Sequence, residues 1–124
     1  MSLVPDGLKY TKDHEWAKFE GNTATIGVTD HAQRELGDIV FVELPKVGGK
    51  VEAGKSFGTI EAVKTVAELY SPVSGTIAEV NGALSGDAGV INQDPYGNGW
   101  IIKVQVDKPQ AEGLMDAAAY KALI

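Results

Sequence analysis

Lys64 stands where the residue types and spacing best suit chemistry. Around it the chain reads Ile60-Glu61-Ala62-Val63-Lys64-Thr65-Val66, preceded by Phe57-Gly58-Thr59 and followed by Ala67-Glu68-Leu69-Tyr70. Two strand-like arms around one lysine predict a hairpin whose tip presents a primary amine on a flexible stem, open to a modifying enzyme from several directions. Rigid arms meet a second need, because a tethered group that swings requires a fixed base. Taken alone, a lysine between Glu61 and Glu68 is ordinarily a solvated hairpin residue. A second cluster, Asp13-His14-Glu15-Trp16, sets two carboxylates, a titrating ring and a large amphipathic ring in succession. His14 fits an ordinary surface histidine as well as a functional one, and Trp16 reads as a core strand residue. His31 forms no convincing ligand cluster with His14, and two histidines do not make a metal site.

Other chemistries lack an anchor. The chain has no cysteine, so it offers no disulfide, thiolate metal site or cysteine nucleophile. It has no Gly-x-Ser-x-Gly elbow, phosphate-binding loop or dinucleotide fingerprint, and Asp87, Asp94 and Glu43 carry no acid-base assignment. An enzyme is therefore not expected. A formal charge of −6 repels phosphate backbones and anionic membranes, so neither nucleic acid nor membrane is an expected partner. No apolar run approaches the roughly 20 residues needed to span a bilayer, and the start lacks a secretory pattern. Cytoplasm is the default compartment, or the mitochondrial matrix if a transit peptide has been removed.

A chain of 124 residues, 44% of them apolar, suffices for one domain with one core. Gly and Pro punctuate short runs rich in Val, Ile, Thr and aromatics, which predicts strands near Trp16-Phe19, Thr23-Val28, Ile39-Leu44, Phe57-Val63, Thr65-Tyr70, Thr76-Val80 and Trp100-Val106. A short helix is expected from about His31 to Leu36, with Asp30 as cap, Gln33 completing a capping-box-like pair and Gly37 ending it. A final helix starts at Asp116, with Pro109 breaking the last strand. The run Gly58-Thr59-Ile60-Glu61-Ala62-Val63 is echoed by Gly75-Thr76-Ile77-Ala78-Glu79-Val80, and Val47-Gly48-Gly49 before Gly54 by Val80-Asn81-Gly82 before Gly86. Both echoes suggest a two-fold-like sandwich centred near Lys64.

The segment Ile60 to Val66, followed by Leu69-Tyr70-Ser71-Pro72-Val73-Ser74-Gly75, resembles the lipoylation region of glycine cleavage system H proteins. The likeness extends through Tyr10-Thr11-Lys12-Asp13-His14-Glu15-Trp16, Ala24 to Gln33, Leu36 to Pro45, Asp94 to Val104 and Ala118 to Leu123, nearly the whole chain from Gly7. Small departures are Ala62 and Thr65, where the family often has Ser and Ala, and Glu68, where it commonly has Asp. Biotin carriers also present a modified lysine at a hairpin tip, but they carry Met on both sides where this chain has Val63 and Thr65. Lipoyl domains of 2-oxo acid dehydrogenases typically put Asp before the lysine and lack the His14-Glu15-Trp16 segment.

The resemblance implies a mainly β fold, a lipoyl/biotinyl-type flattened barrel or sandwich (hammerhead) with short helical additions. It implies a single carrier domain over 1–124, with 110–124 as a C-terminal helical extension, acting as a monomer. Lipoic acid would be attached covalently at Lys64, with Glu61, Val63 and Thr65 recognised by a lipoate ligase or lipoyl transferase. Glu15, assisted by Asp13 and Glu68, would contact the aminomethyl-loaded arm, since a shielded carboxylate stabilises a protonated amine. The carrier would shuttle the aminomethyl group of glycine from a pyridoxal-phosphate glycine decarboxylase to a tetrahydrofolate-dependent aminomethyltransferase, and dihydrolipoamide dehydrogenase would reoxidise the arm. A lipoyl relay in another pathway and an unmodified interaction domain are the alternatives.

Overall fold

A computed structural model describes residues 3–106 and 113–124. Among the described residues nine strands form two sheets. The strands are β1 (Lys9–Tyr10), β2 (Glu15–Glu20), β3 (Thr23–Val28), β4 (Ile39–Glu43), β5 (Lys50–Val51), β6 (Ser56–Ala62), β7 (Val66–Tyr70), β8 (Gly75–Val80) and β9 (Ile102–Gln105). The larger sheet runs β1-β2-β3-β9-β8-β5 and the smaller β4-β6-β7. Of the two expected forms, barrel or sandwich, the structure is a sandwich of two open sheets. Three short α-helices complete it: α1 (Asp30–Leu36), α2 (Val90–Gln93) and α3 (Ala117–Leu123).

The core between the sheets holds Ile26, Ile60, Leu69, Val73, Ile77, Ile91, Ile102 and Val104, each at most 2% exposed. Burying such side chains is worth roughly 1.5–3 kcal/mol each. The two echoed runs fall in different sheets, β6 and β8, and deliver Ile60 and Ile77 to this one core. A second core, Tyr10, Trp16, Ala117 and Tyr120, seats α3. Trp16 is 1% exposed, as its strand position predicts, and its indole N–H donates to the Pro95 carbonyl at 3.0 Å. Gly27, its cross-strand partner, leaves room for that ring: a Cβ there would stand 2.7 Å from the indole nitrogen.

The helix starts differ from expectation in one place. Thr29, not Asp30, caps α1: its backbone is extended and its hydroxyl accepts from the Ala32 N–H. Asp30 lies in the first turn, accepting from the Leu3 N–H, the Gln33 amide and the Arg34 guanidinium. Gln33 is thereby drawn away from a capping box. Gly37 ends the helix as expected, and Asp116 caps α3 by accepting from the Ala119 N–H. The two-residue strands β1 and β5, and α2, were not predicted. Pro109 and residues 110–112 of the expected extension lie outside the described residues.

Candidate functional site

Strands β6 and β7 pair through Glu61 and Val66, and the Ala62 N–H donates to the Thr65 carbonyl at 2.8 Å, leaving Val63 and Lys64 as the tip. A second tie anchors that tip, from the Val63 N–H to the Asp38 carbonyl at 3.0 Å. Lys64 is exposed, yet its stem crosses the end of α1. A Cβ on Gly37 would stand 3.2 Å from Lys64 Cε. Gly37 has φ 80° and ψ −151°, a conformation side chains rarely adopt, so the one residue able to end the helix this way also leaves a bare bed for the lysine. Asn92 fixes that loop: it accepts from the Ile39 N–H at 2.9 Å and donates to the Gly37 carbonyl at 2.8 Å and to Gln33 at 3.0 Å.

From Leu36, next to Gly37, a cleft of about 160 Å³ runs between α1 and β7. Its walls are apolar, from Val28, Ala32, Leu36, Ile60, Ala67 and Leu69, and Asp13, His14, Glu15, Glu35 and Glu68 also line it. The three residues expected to contact a loaded arm, Asp13, Glu15 and Glu68, therefore line one cleft. A larger cleft of about 560 Å³ opens beside it and shares Asp13 and Glu15, but nothing from α1 or β6 lines it. The smaller cleft is the one lined by Leu36, next in sequence to the Gly37 that the Lys64 stem lies against.

Glu15 is 2% exposed and both its oxygens are engaged. The Thr11 hydroxyl donates to Oε1 at 2.8 Å and the Tyr70 N–H to Oε2 at 3.3 Å. Burial pushes its pKa up to about 8 against those two hydrogen bonds, with help from the Asp13 charge, so the acid is largely protonated at neutral pH. Next to it His14 is the one non-glycine among the described residues with positive φ, 68°. Its Nδ1 lies 2.7 Å from the Tyr120 hydroxyl, which also meets the Thr29 hydroxyl at 2.8 Å. Tyr120 on α3 thus joins the β1–β2 turn to the start of α1. His14 is not an ordinary surface histidine: it is half-buried against His31, ring centroids 4.7 Å apart, and burial followed by that neighbour lowers its pKa. Among the described residues no three His, Cys, Asp or Glu could hold a metal.

Glu61, Val63 and Thr65 lie outside the cleft. Val63 is 76% exposed, Thr65 is exposed, and Glu61 is half-buried between Phe41 and Val66 in the register. Sequence reasoning did not single out Thr11, Tyr120 or Asn92. Thr11 sits in the same run as Glu15, four residues before it, and Gly37 was seen only as a helix end. The apolar walls and the terminal carboxyl fit a long apolar chain ending in an amine, tethered at Lys64. No helix among the described residues is long and apolar enough to cross a membrane.

Residues 8–124 match the family model described as Glycine cleavage H-protein. The Glycine cleavage system H protein of Myxococcus xanthus is 54% identical over 122 residues, covering 98% of this chain and 95% of that protein. The protein of the same name from Chlorobium limicola is 58% identical, covering 98% and 97%. A crystal structure of a glycine cleavage system H protein from Mycobacterium marinum superposes with a TM-score of 0.89 at 42% identity, covering 96% of this chain and 97% of the other.

Proposed function

The chain belongs to the glycine cleavage H-protein family, and from that premise we propose that Lys64 bears its lipoyl group and that Glu15, with Asp13 and Glu68, holds the far end of the loaded arm. As a member it is a lipoyl-carrier component of glycine cleavage and not itself a catalyst. Its partners in that system are the glycine decarboxylase, the aminomethyltransferase and dihydrolipoamide dehydrogenase. To these the proposal adds a lipoate ligase or lipoyl transferase that reads Glu61, Val63 and Thr65, and a single monomeric carrier domain with α3 as its C-terminal extension.

The observation that carries this reading is that the Lys64 stem lies against Gly37, next in sequence to Leu36, and that Leu36 and Glu15 line one largely apolar cleft. Attachment forms an amide at Lys64 Nζ and removes its charge. When bound, the lipoyl group would supply a redox-active disulfide able to accept the aminomethyl fragment of glycine. The chain's own residues do the rest. Leu36, Ala32 and Ala67 line the arm's course and exclude water. Glu15, protonated while the cleft is empty, gives up its proton to solvent as an ammonium group enters, and the resulting carboxylate makes a charge-assisted hydrogen bond in a shielded setting. Asp13 and Glu68, both exposed at the rim, add attraction without burying further charge. Such shielding slows loss of ammonia until a transferase opens the cleft.

The test is intact mass with peptide mapping, on protein exposed to a lipoate ligase, lipoate and ATP and on a control without ligase. A lipoyl increment confined to Lys64 is expected. No increment, under conditions that modify a control lipoyl domain, removes the carrier reading and leaves an unmodified interaction domain.

A further inference from the structure

The face of the smaller sheet that looks away from the core has a composition of its own. Register sets two rows across its strands, Phe41 opposite Glu61 opposite Val66, and Glu43 opposite Thr59 opposite Glu68. An irregularity between Ile39 and Phe41 turns Val40 outward as well, as bulges commonly do when they re-aim a side chain. Val40 is 58% exposed, Phe41 48%, Val66 59%, and Val63 at the tip 76%. Large apolar side chains gathered at solvent mark interaction sites more often than chance.

The charges on this face share one sign. Strands β4, β6 and β7 contain no lysine, arginine or histidine. Their three carboxylates, Glu43, Glu61 and Glu68, form no ion pair among the described residues, whereas the exposed carboxylates Glu20, Glu52 and Glu79 each face a lysine. Apolar side chains flanking one carboxylate, Glu61, with Glu43 and Glu68 in the next row, are complementary to an apolar recess that also carries lysine or arginine.

Selectivity points to the occupant. The chain has ten lysines, and Lys12, Lys46 and Lys121 are as exposed as Lys64. An enzyme that modifies one of them must read the surface beside it. We propose that the outward face of β4, β6 and β7, centred on Phe41, Glu61 and Val66, is the docking surface for the enzyme that acylates Lys64, which presents to it an apolar recess bearing lysine or arginine. The proposal rests on Lys64 being the attachment site. In the step served by this docking, Lys64 Nζ, having lost a proton to solvent, attacks the carbonyl of a lipoyl adenylate. The C–N amide bond forms, the C–O bond of the mixed anhydride breaks, AMP leaves with the electron pair, and nitrogen sheds its second proton.

The experiment measures steady-state acylation of the unmodified protein by a bacterial lipoate ligase with lipoate and ATP. It compares wild type, Phe41→Ser, Val66→Ser, Glu43→Gln and, as a control of similar exposure on another loop, Val47→Ser (60% exposed). Phe41→Ser and Val66→Ser are expected to raise KM about tenfold with kcat within about twofold, the signature of lost binding rather than lost chemistry. Glu43→Gln should raise KM less and flatten its dependence on salt, and Val47→Ser should match wild type. Equal KM values for all variants, with Lys64 still acylated, overturn the docking surface and leave the carrier reading standing. Failure to acylate wild type overturns the carrier reading itself. Normal acylation of the variants with a raised KM toward glycine decarboxylase also overturns the proposal, assigning the face to an enzyme that reads the finished arm.

Discussion

The hairpin tip and the Glu15 side of the cleft are built on opposite plans. At the Lys64 end a hairpin tip stands in solvent, held by its own closing hydrogen bond and one tie to Asp38. At the Glu15 end the carboxyl is buried, both oxygens have donors, and the neighbouring His14 is wedged between Tyr120 and His31. Among the described residues no buried side-chain nitrogen or oxygen lacks a partner. A tether works by sampling orientations, whereas a holding site works by having its donors and acceptors fixed before the ligand arrives. On the proposed roles the contrast makes the ends separable: changes at the tip should alter attachment, and changes at the far end should alter retention.

The sharpest break is Lys64→Arg. Guanidinium keeps the charge but offers no amine for the amide, so lipoylation seen by intact mass should fall to zero while the melting temperature of this exposed position is unchanged. Glu15→Ala should do the reverse, leaving lipoylation intact but shortening the lifetime of the loaded form. Losing a charge-assisted hydrogen bond of about 1.5–3 kcal/mol corresponds to roughly a 10- to 150-fold faster release of ammonia, followed in the absence of the transferase. An unchanged lifetime would remove Glu15 from the holding role.

Proton linkage sharpens the same end. Because the folded-state pKa of Glu15 is raised to about 8 from 4.5, folded protein keeps a proton that unfolded chain releases. Stability contributed by this group is therefore full below about pH 4.5 and is lost as pH rises toward 8. Glu15→Gln, which cannot ionise, should flatten the decline in melting temperature between pH 5 and pH 8. Parallel declines in the two proteins would mean that another group dominates. The smallest expected effect is Tyr120→Phe, which deletes only the hydroxyl shared by His14 and Thr29. A loss of about 1–2 kcal/mol should lower the melting temperature by a few degrees and hasten ammonia release, with lipoylation at the wild-type rate.

What was legible in the sequence follows the same division. The hairpin is contiguous: alternating apolar residues on both sides of Lys64 carry it, so its residues, its exposure and the strands around it could be read along the chain. Trp16 was legible as core for the same reason, and Asp116 as a cap because a run of helix formers follows it. The holding end depends on partners distant in sequence. Thr29 and Asp30 are adjacent and both good caps, and which one caps is settled by contacts from Tyr120, Leu3 and Arg34 that no local pattern contains. Strands β1 and β5 span two residues each, too few to show a period. Asn92 joins residues more than fifty positions away.

That separation in sequence has a temporal side. The lysine hairpin closes between residues a few positions apart, so a chain emerging from a ribosome can form it early. The walls of the cleft are joined by Tyr120 across 106 residues to His14 and 91 to Thr29, and that joint waits for the last helix to be made. On the proposed roles, the hairpin that takes the cargo can thus close before the long-range joint that holds the walls of the cleft.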